Sequence, residues 1–148
     1  MAPAFFLPPD PSLPPRKDIW PRPPLSVDTL DYPGAISIGF LAQFLKGIEW
    51  WKFEPHPELV LEYPQPLASA ISGREYLIYV RYGGHLKFDL RSSSESDRFH
   101  FTWIDLVASK ETSGGTINGG AIQAFHAPED YPRNLEYKDW LLHLIKVH

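Results

Sequence analysis

The sequence predicts a mainly β protein, an antiparallel β-sandwich with one N-terminal α-helix. Short runs of apolar residues follow one another after residue 55, and glycine, proline and serine separate them at short intervals. One earlier segment has apolar residues at helical spacing instead. We therefore expect a proline-rich arm at residues 1–31, a helical segment at residues 32–54, and a β-sandwich at residues 55–148.

Length and charge limit the classes of function. The 148 residues suit one domain with a real core, and the net charge of -4 argues against a nucleic-acid partner. No dense run of Lys or Arg suggests a membrane-binding patch. The apolar patch near the N-terminus is short and broken by prolines, so we expect neither a signal peptide nor a membrane span.

Cysteine is absent, which excludes disulfides, thiolate metal sites and a cysteine nucleophile. This fits the cytosol but equally permits secretion, so the compartment stays open. The six histidines show no pair at the spacing of a helical zinc motif, and they are interpreted as scattered surface residues. We expect no cofactor and no metal.

The arm is defined by proline. Ten of the sixteen prolines fall within residues 1–33, and proline removes a backbone donor and disfavours helix for its predecessor. We expect residues 1–31 to be extended, polyproline-like or disordered. An alternative is that residues 13–17, "LPPRK", form a ligand for an SH3-type domain.

A helix is predicted from Ala35 to Trp51, ending before Pro55. Its apolar stripe is wider than one small core usually needs, because Phe40 and Phe44 extend it. A stripe this wide favours self-association or a protein partner. The residues at helical spacing are Ile38, Leu41, Ala42, Leu45 and Ile48.

Strands are expected at residues 58–63, 67–73, 98–106 and 120–128, and a β-hairpin at residues 73–90. The last segment, residues 139–148, is ambiguous between helix and strand, and strand is favoured.

The hairpin register follows from burial. A three-residue loop, Tyr82 to Gly84, would pair Val80 with Leu86 and bury one clean apolar face. The first strand also carries Leu77 and Tyr79 on its other side. A strand that is apolar on both faces is central in a sheet or covered by another element.

Two carboxylates are candidates for a catalytic pair. Asp89 and Asp105 lie near strand ends, and paired carboxylates could serve a small hydrolase. Nothing in the spacing brings them together, so turn capping is the favoured interpretation. The glycines around Gly114 and Gly119 lack the lysine of a phosphate loop and are predicted to be turn residues.

Exposed aromatic side chains could stack on sugar rings. Tyr79, Tyr82 and Trp103 are the candidates for carbohydrate contact. The competing interpretation is core packing, which is the commoner role of aromatic residues on strands.

From about Gly34 the chain resembles the C-terminal part of the apiosidase-like glycoside hydrolases. Residues 34–60 are similar to the last helix of their catalytic (β/α)₈ barrel and the crossing into a small β-sandwich, often labelled a collagen-binding domain. "SGREYLIYVRYGGHLKFDL" is similar to the central hairpin of that sandwich, "FTWIDLVASKE" to the following strand, and "FHAP…DWLLHLIK" to the closing strands.

The resemblance implies a non-catalytic accessory β-sandwich, and a truncated product of an enzyme gene. After Trp103 the family tends to show Asp or Asn followed by Pro-Arg, whereas this chain keeps Asp105 but lacks the Pro-Arg. No position matches a catalytic residue of the barrel, so we expect no enzyme activity. Two alternatives remain: a protein-interaction module acting through the helix and the arm, and a small carboxylate-dependent hydrolase.

Overall fold

A computed structural model describes residues 33–63, 67–128 and 139–147. Within them the fold is mainly β with a single helix, which confirms the predicted fold class. The arm at residues 1–31 lies outside the described residues. The elements are α1 (Pro33–Lys46), β1 (Glu54–Pro55), β2 (Leu67–Ile71), β3 (Glu75–Val80), β4 (His85–Asp89), β5 (Arg98–Asp105), β6 (Lys110–Asn118), β7 (Ile122–His126) and β8 (Trp140–Val147).

The strands form two antiparallel sheets. The large sheet has six strands in the order β1-β2-β3-β8-β5-β6, and the small sheet pairs β4 with β7. Their facing sides enclose the core, where Tyr76 of the large sheet packs edge-on against Phe88 of the small one, with ring centroids 5.3 Å apart. The fully buried side chains of this core include Tyr76, Ile78, Val80, Leu86, Phe88, Phe99, Leu142 and Leu144.

The predicted hairpin between β3 and β4 is wrong. β3 pairs with β2 and β8, while β4 pairs with β7 in the other sheet. The alternation of apolar residues was interpreted correctly, because Ile78 and Phe88 are both buried. The two residues lie in different sheets and face the same interior. This arrangement buries the same residues that a hairpin would bury.

The chain crosses between the sheets at residues 81–84. Three successive residues there have left-handed backbone angles, with φ of 71° at Tyr82, 69° at Gly83 and 90° at Gly84. Glycine adopts this region without steric cost, whereas Tyr82 is strained. We refer to residues 81–84 as the crossover.

The prediction that β3 is central in a sheet or covered by another element is confirmed. It lies between β2 and β8, and the side chains on its outer face, Leu77 and Tyr79, are only half-buried. The helix α1 lies over this outer face, and Phe44 packs edge-on against His143 of β8 with ring centroids 5.3 Å apart.

The helix ends earlier than its apolar pattern predicts. The amides of Gly47 and Ile48 donate to carbonyls three residues back, which tightens and terminates the helix after Lys46. Trp50–Lys52 forms a separate 3₁₀ turn. No helix within the described ranges is long and apolar enough to cross a membrane.

Two further strand predictions differ from the structure. Residues 58–63 do not form a strand: Pro57–Leu59 is a 3₁₀ turn, and Val60 makes a single bridge to Phe88. The strand β6 was not predicted, and Gly114 lies inside it rather than in a turn. β6 is an exposed edge strand, so it lacks the apolar alternation by which strands are recognised.

The remaining strand predictions agree with the structure. Residues 139–148 were favoured as strand, and β8 occupies nearly all of that segment. Gly119 begins the turn after β6, as predicted, and Gly120 there has a φ of 76°.

Candidate functional site

A cluster of tyrosines surrounds one carboxylate where β3 ends. The Tyr79 hydroxyl donates to Oδ2 of Asp139 at 2.5 Å, and the backbone N–H of Tyr82 donates to Oδ1 of the same residue at 3.2 Å. Asp139 immediately precedes β8, the neighbour of β3 in the sheet. Pairing of these strands therefore places the carboxylate beside the crossover. We refer to Tyr63, Tyr79, Tyr82 and Asp139 as the tyrosine cluster.

Tyr63 belongs to the cluster but lies on a different segment of the chain, before β2. Its hydroxyl donates to the carbonyl oxygen of Arg81 and, at 3.2 Å, to that of Gly83. Two side chains, Tyr63 and Asp139, thus hold the backbone of the crossover from different directions. This restraint is what the strained conformation of Tyr82 requires.

Two phenols of the cluster, those of Tyr63 and Tyr79, have raised pKa values. Burial and the hydrogen bond to Asp139 raise the pKa of Tyr79 to about 12. Burial, followed by the charge of Asp139, also raises the pKa of Tyr63. Both hydroxyls therefore remain protonated at neutral pH and donate hydrogen bonds. Neither is ionised, so neither can act as a general base.

Two of the three predicted carbohydrate contacts come together in this cluster. Tyr79 and Tyr82 are half-buried, and the guanidinium of Arg81 lies over the Tyr82 ring at 4.6 Å from its centroid. Contact between these tyrosines and a carbohydrate stays a prediction.

Trp103 does not belong to this surface. It is only 4 % exposed and packs edge-on against Trp140 in the core, with ring centroids 6.3 Å apart. Its prediction as an exposed stacking platform is wrong, because its side of β5 faces the sandwich interior, and the core-packing interpretation holds for this residue.

The two strand-end carboxylates lie in different sheets, and each is bonded within its own turn. Asp89 accepts hydrogen bonds from Arg91, whose guanidinium lowers the pKa of that carboxyl. Asp105 is buried, and its Oδ1 accepts the N–H groups of Val107 and Ala108 at 2.9 and 2.8 Å. The turn-capping interpretation accounts for these contacts, and the structure does not bring the two carboxylates together as a pair.

Histidine pairings are the feature that sequence reasoning missed. Nε2 of His143 lies 2.7 Å from Oε1 of Glu75, which is 4 % exposed. His85 and His126 are cross-strand partners with ring centroids 3.9 Å apart. These contacts join residues far apart in the chain, so no local spacing signals them. No three candidate metal ligands converge among the residues that the structure describes.

An apolar cavity lies between α1 and the outer face of the large sheet. Its volume is about 620 Å³, and its wall includes Leu41 and Leu45 of the helix and Leu77, Tyr79 and Leu141 of the sheet. The helix and the 3₁₀ turn that follows it expose further large apolar side chains. We call this region, the cavity together with these side chains, the outer apolar surface. The exposed side chains are Ile36, Ile38, Trp50 and Trp51, between 54 % and 71 % exposed.

Known proteins resemble this chain in their fold. A scan of protein-family models gives no match, and no curated protein matches the chain. Among the solved structures that match, two glycoside hydrolases share the fold. A chain described as a glycoside hydrolase aligns with a TM-score of 0.66 at 15 % identity, over 80 % of this chain and 26 % of its own length. A family 5 glycoside hydrolase from Bacteroides vulgatus aligns with a TM-score of 0.64 at 18 % identity, over 80 % of this chain and 25 % of its own.

This chain therefore spans about a quarter of the length of these glycoside hydrolases, and it has the fold of that portion of them.

Proposed function

We propose that the chain is a non-catalytic accessory β-sandwich of a sugar-cleaving enzyme, related to the C-terminal domain of the apiosidase-like glycoside hydrolases. The observation that carries this proposal is the pair of coverages: four-fifths of this chain matches only a quarter of each glycoside hydrolase. A domain that recurs as a minor portion of such enzymes fits a supporting role better than a complete catalytic unit.

The outer apolar surface supports the same proposal. Ile38 and Trp51 are 71 % and 64 % exposed, and the cavity between α1 and the large sheet is lined mainly by leucines. Burial of such a surface stabilises an interface by roughly 25 cal/mol for each Å² of apolar area. In the resembling enzymes this helix belongs to the catalytic barrel, so the occupant we propose for this surface is a catalytic domain.

The described carboxylates offer little support for the rival proposal of a small hydrolase. Glycoside hydrolysis needs two carboxyl groups facing one bond, typically about 5 to 10 Å apart. Asp89 and Asp105 are held by separate turns in separate sheets.

The first test is a hydrolysis screen of the purified chain on aryl glycosides and soluble polysaccharides. We expect no turnover above buffer, and no difference between the wild type and Asp105→Asn. Turnover that disappears in Asp105→Asn would overturn the non-catalytic assignment and establish the hydrolase.

Carbohydrate contact is a narrower part of the proposal, and Tyr82 is its best candidate. The Arg81 guanidinium lies over the Tyr82 ring, and the Tyr82 backbone N–H donates to the Asp139 carboxylate; guanidinium and carboxylate groups commonly bond sugar hydroxyls beside a stacked ring. In affinity electrophoresis with soluble polysaccharides we expect weak retardation that Tyr82→Ala reduces. Trp50→Ala is the matched control, because it removes an exposed aromatic on the helix side of the molecule.

A second candidate function, a protein-interaction module, rests on the same exposed helix. It differs in its occupant, which would be a separate protein rather than a catalytic domain of the same enzyme. The arm and its match to an SH3-type ligand lie outside the described residues, so the exposed side chains of α1 carry this alternative.

A further inference from the structure

His85 and His126 form an exposed pair on the small sheet. His85 is the first residue of β4, His126 is the last of β7, and the two are direct cross-strand partners. Their rings lie 3.9 Å apart between centroids, and both residues are exposed. We propose that this pair binds a divalent late first-row metal ion such as Zn²⁺ or Cu²⁺ through one nitrogen of each imidazole.

The backbone holds the pair in place. The N–H of Ala127 donates to the carbonyl of Gly84 at 3.0 Å, so the hydrogen-bonded ladder extends one step beyond the two histidines. On the other side, Leu86 and Phe125 are register partners and are buried in the core. The two Cα positions are therefore fixed, and only the imidazole side chains need to rotate to share an ion.

The geometry suits two ligands of one ion. Cross-strand partners have Cβ atoms about 4.5 to 5.5 Å apart, and Zn–N bonds are about 2.0 to 2.1 Å long. Two imidazoles on such partners can each reach an ion held between them and above the sheet. Water would complete the coordination, so binding is expected to be weaker than at a site with four protein ligands.

The charged side chains of Glu62 and Lys87 lie close to His85. Glu62, His85 and Lys87 line one shallow depression, and the Lys87 ammonium lies 2.9 Å from Glu62 Oε1. The positive charge of Lys87, two residues along β4 from His85, repels a cation bound at the histidine pair. Removal of the Lys87 ammonium is therefore expected to tighten metal binding.

The choice of ion follows from the ligands. Imidazole nitrogen favours Zn²⁺, Ni²⁺ and Cu²⁺, with Cu²⁺ bound most tightly, whereas Mg²⁺ and Ca²⁺ prefer oxygen. The expected order is thus Cu²⁺ tighter than Zn²⁺, with no measurable binding of Mg²⁺.

The experiment is a titration of the untagged full chain with ZnCl₂ by isothermal calorimetry, together with histidine proton shifts by NMR. We expect one ion per chain, shifts confined to His85 and His126, and a higher melting temperature with Zn²⁺. The last effect is expected because the pair is assembled only in the folded chain.

Variants separate this site from other histidines. His85→Ala and His126→Ala should each weaken Zn²⁺ binding about tenfold or more, and Lys87→Ala should strengthen it. The matched control is His100→Ala, because His100 lies on β5 with its Nε2 3.3 Å from the Ser113 hydroxyl. Undiminished Zn²⁺ binding in His85→Ala, or equal loss in His100→Ala, would overturn the proposal.

Discussion

At Gly114, the neighbouring ring of Phe101 limits the size of the side chain that β6 can accommodate. A Cβ atom there would lie 2.0 Å from the ring of Phe101, which itself packs against Phe125 with centroids 5.2 Å apart. The ring would have to move for any larger residue to fit. We expect Gly114→Ala to lower the free energy of unfolding by about 1 to 3 kcal/mol, measured by urea denaturation.

Gly39 provides the matched control. It lies in the interior of α1, and a Cβ atom there would meet nothing within 4 Å. Alanine is the better helix former, so Gly39→Ala should raise the free energy of unfolding by about 0.5 to 1 kcal/mol. The same substitution is thus expected to have opposite signs at the two positions, and equal effects would contradict the packing argument.

Tyr79 makes stability depend on pH in the alkaline range. The folded state raises the pKa of Tyr79 from 10.0 to about 12, so it keeps the proton when the unfolded chain has lost it. The contribution of Tyr79 to stability is therefore complete below pH 10 and falls as the pH rises toward 12. Tyr79→Phe removes this dependence, because phenylalanine does not ionise.

The measurement compares wild type with Tyr79→Phe by urea unfolding at pH 7, 9.5 and 11. At pH 7 we expect Tyr79→Phe to cost about 1 kcal/mol, less than is usual for a hydrogen bond to a charged group, because the site is partly exposed. The difference between the two proteins should shrink by pH 11. A difference in unfolding free energy that stays the same at all three pH values would mean that the folded state does not raise the pKa of Tyr79.

At the level of elements, an ionisable pair ties β3 to β8. Glu75 is 4 % exposed and lies 2.7 Å from Nε2 of His143, while the edge of His143 meets Phe44 of α1. Glu75→Ala would leave the imidazole without its acceptor and should cost about 2 kcal/mol, measured by thermal or urea unfolding.

A double variant tests whether the cost comes from the lost pairing. Replacing both polar partners of a buried pair by apolar residues of similar size is often nearly neutral. We expect Glu75→Leu combined with His143→Leu to be closer to wild type than Glu75→Ala. A double variant as unstable as the single one would instead point to a packing role for Glu75.

The two sheets show which features of the strands can be predicted from the sequence and which cannot. The burial of Ile78 and Phe88 was predictable, since alternation reports which side of a strand is apolar. Their placement in different sheets was not, because a hairpin and a crossover bury the same residues. The deciding contacts are the hydrogen bonds of β3 to β8, which is distant in sequence.

For the whole molecule, the outer apolar surface governs association. Ile36 and Ile38 are 54 % and 71 % exposed. These two residues lie on different sides of α1, and each adds exposed apolar area that favours interfaces. In the isolated chain we expect concentration-dependent self-association, visible by analytical ultracentrifugation, and weaker association when both residues are changed to serine.

The control for this prediction is Ile122→Ser. Ile122 is 43 % exposed and lies on β7 of the small sheet, across the core from the large sheet that α1 covers. It should leave the association unchanged, and none of these surface substitutions should shift the melting temperature much. An isolated chain that stays monomeric at high concentration would weaken the proposal that this surface packs on another domain.

The sequence by itself determined the fold class, that β3 is central or covered by another element, and the strand character of residues 140–147, because these follow from which side chains must leave water. Only the tertiary structure decided the pairing of β4 with β7, the burial of Trp103, and the meeting of Tyr79 with Asp139 and of His85 with His126. Those contacts join distant segments through hydrogen bonds and close packing. Such interactions depend on position in space, and the apolar pattern of a single segment does not encode them.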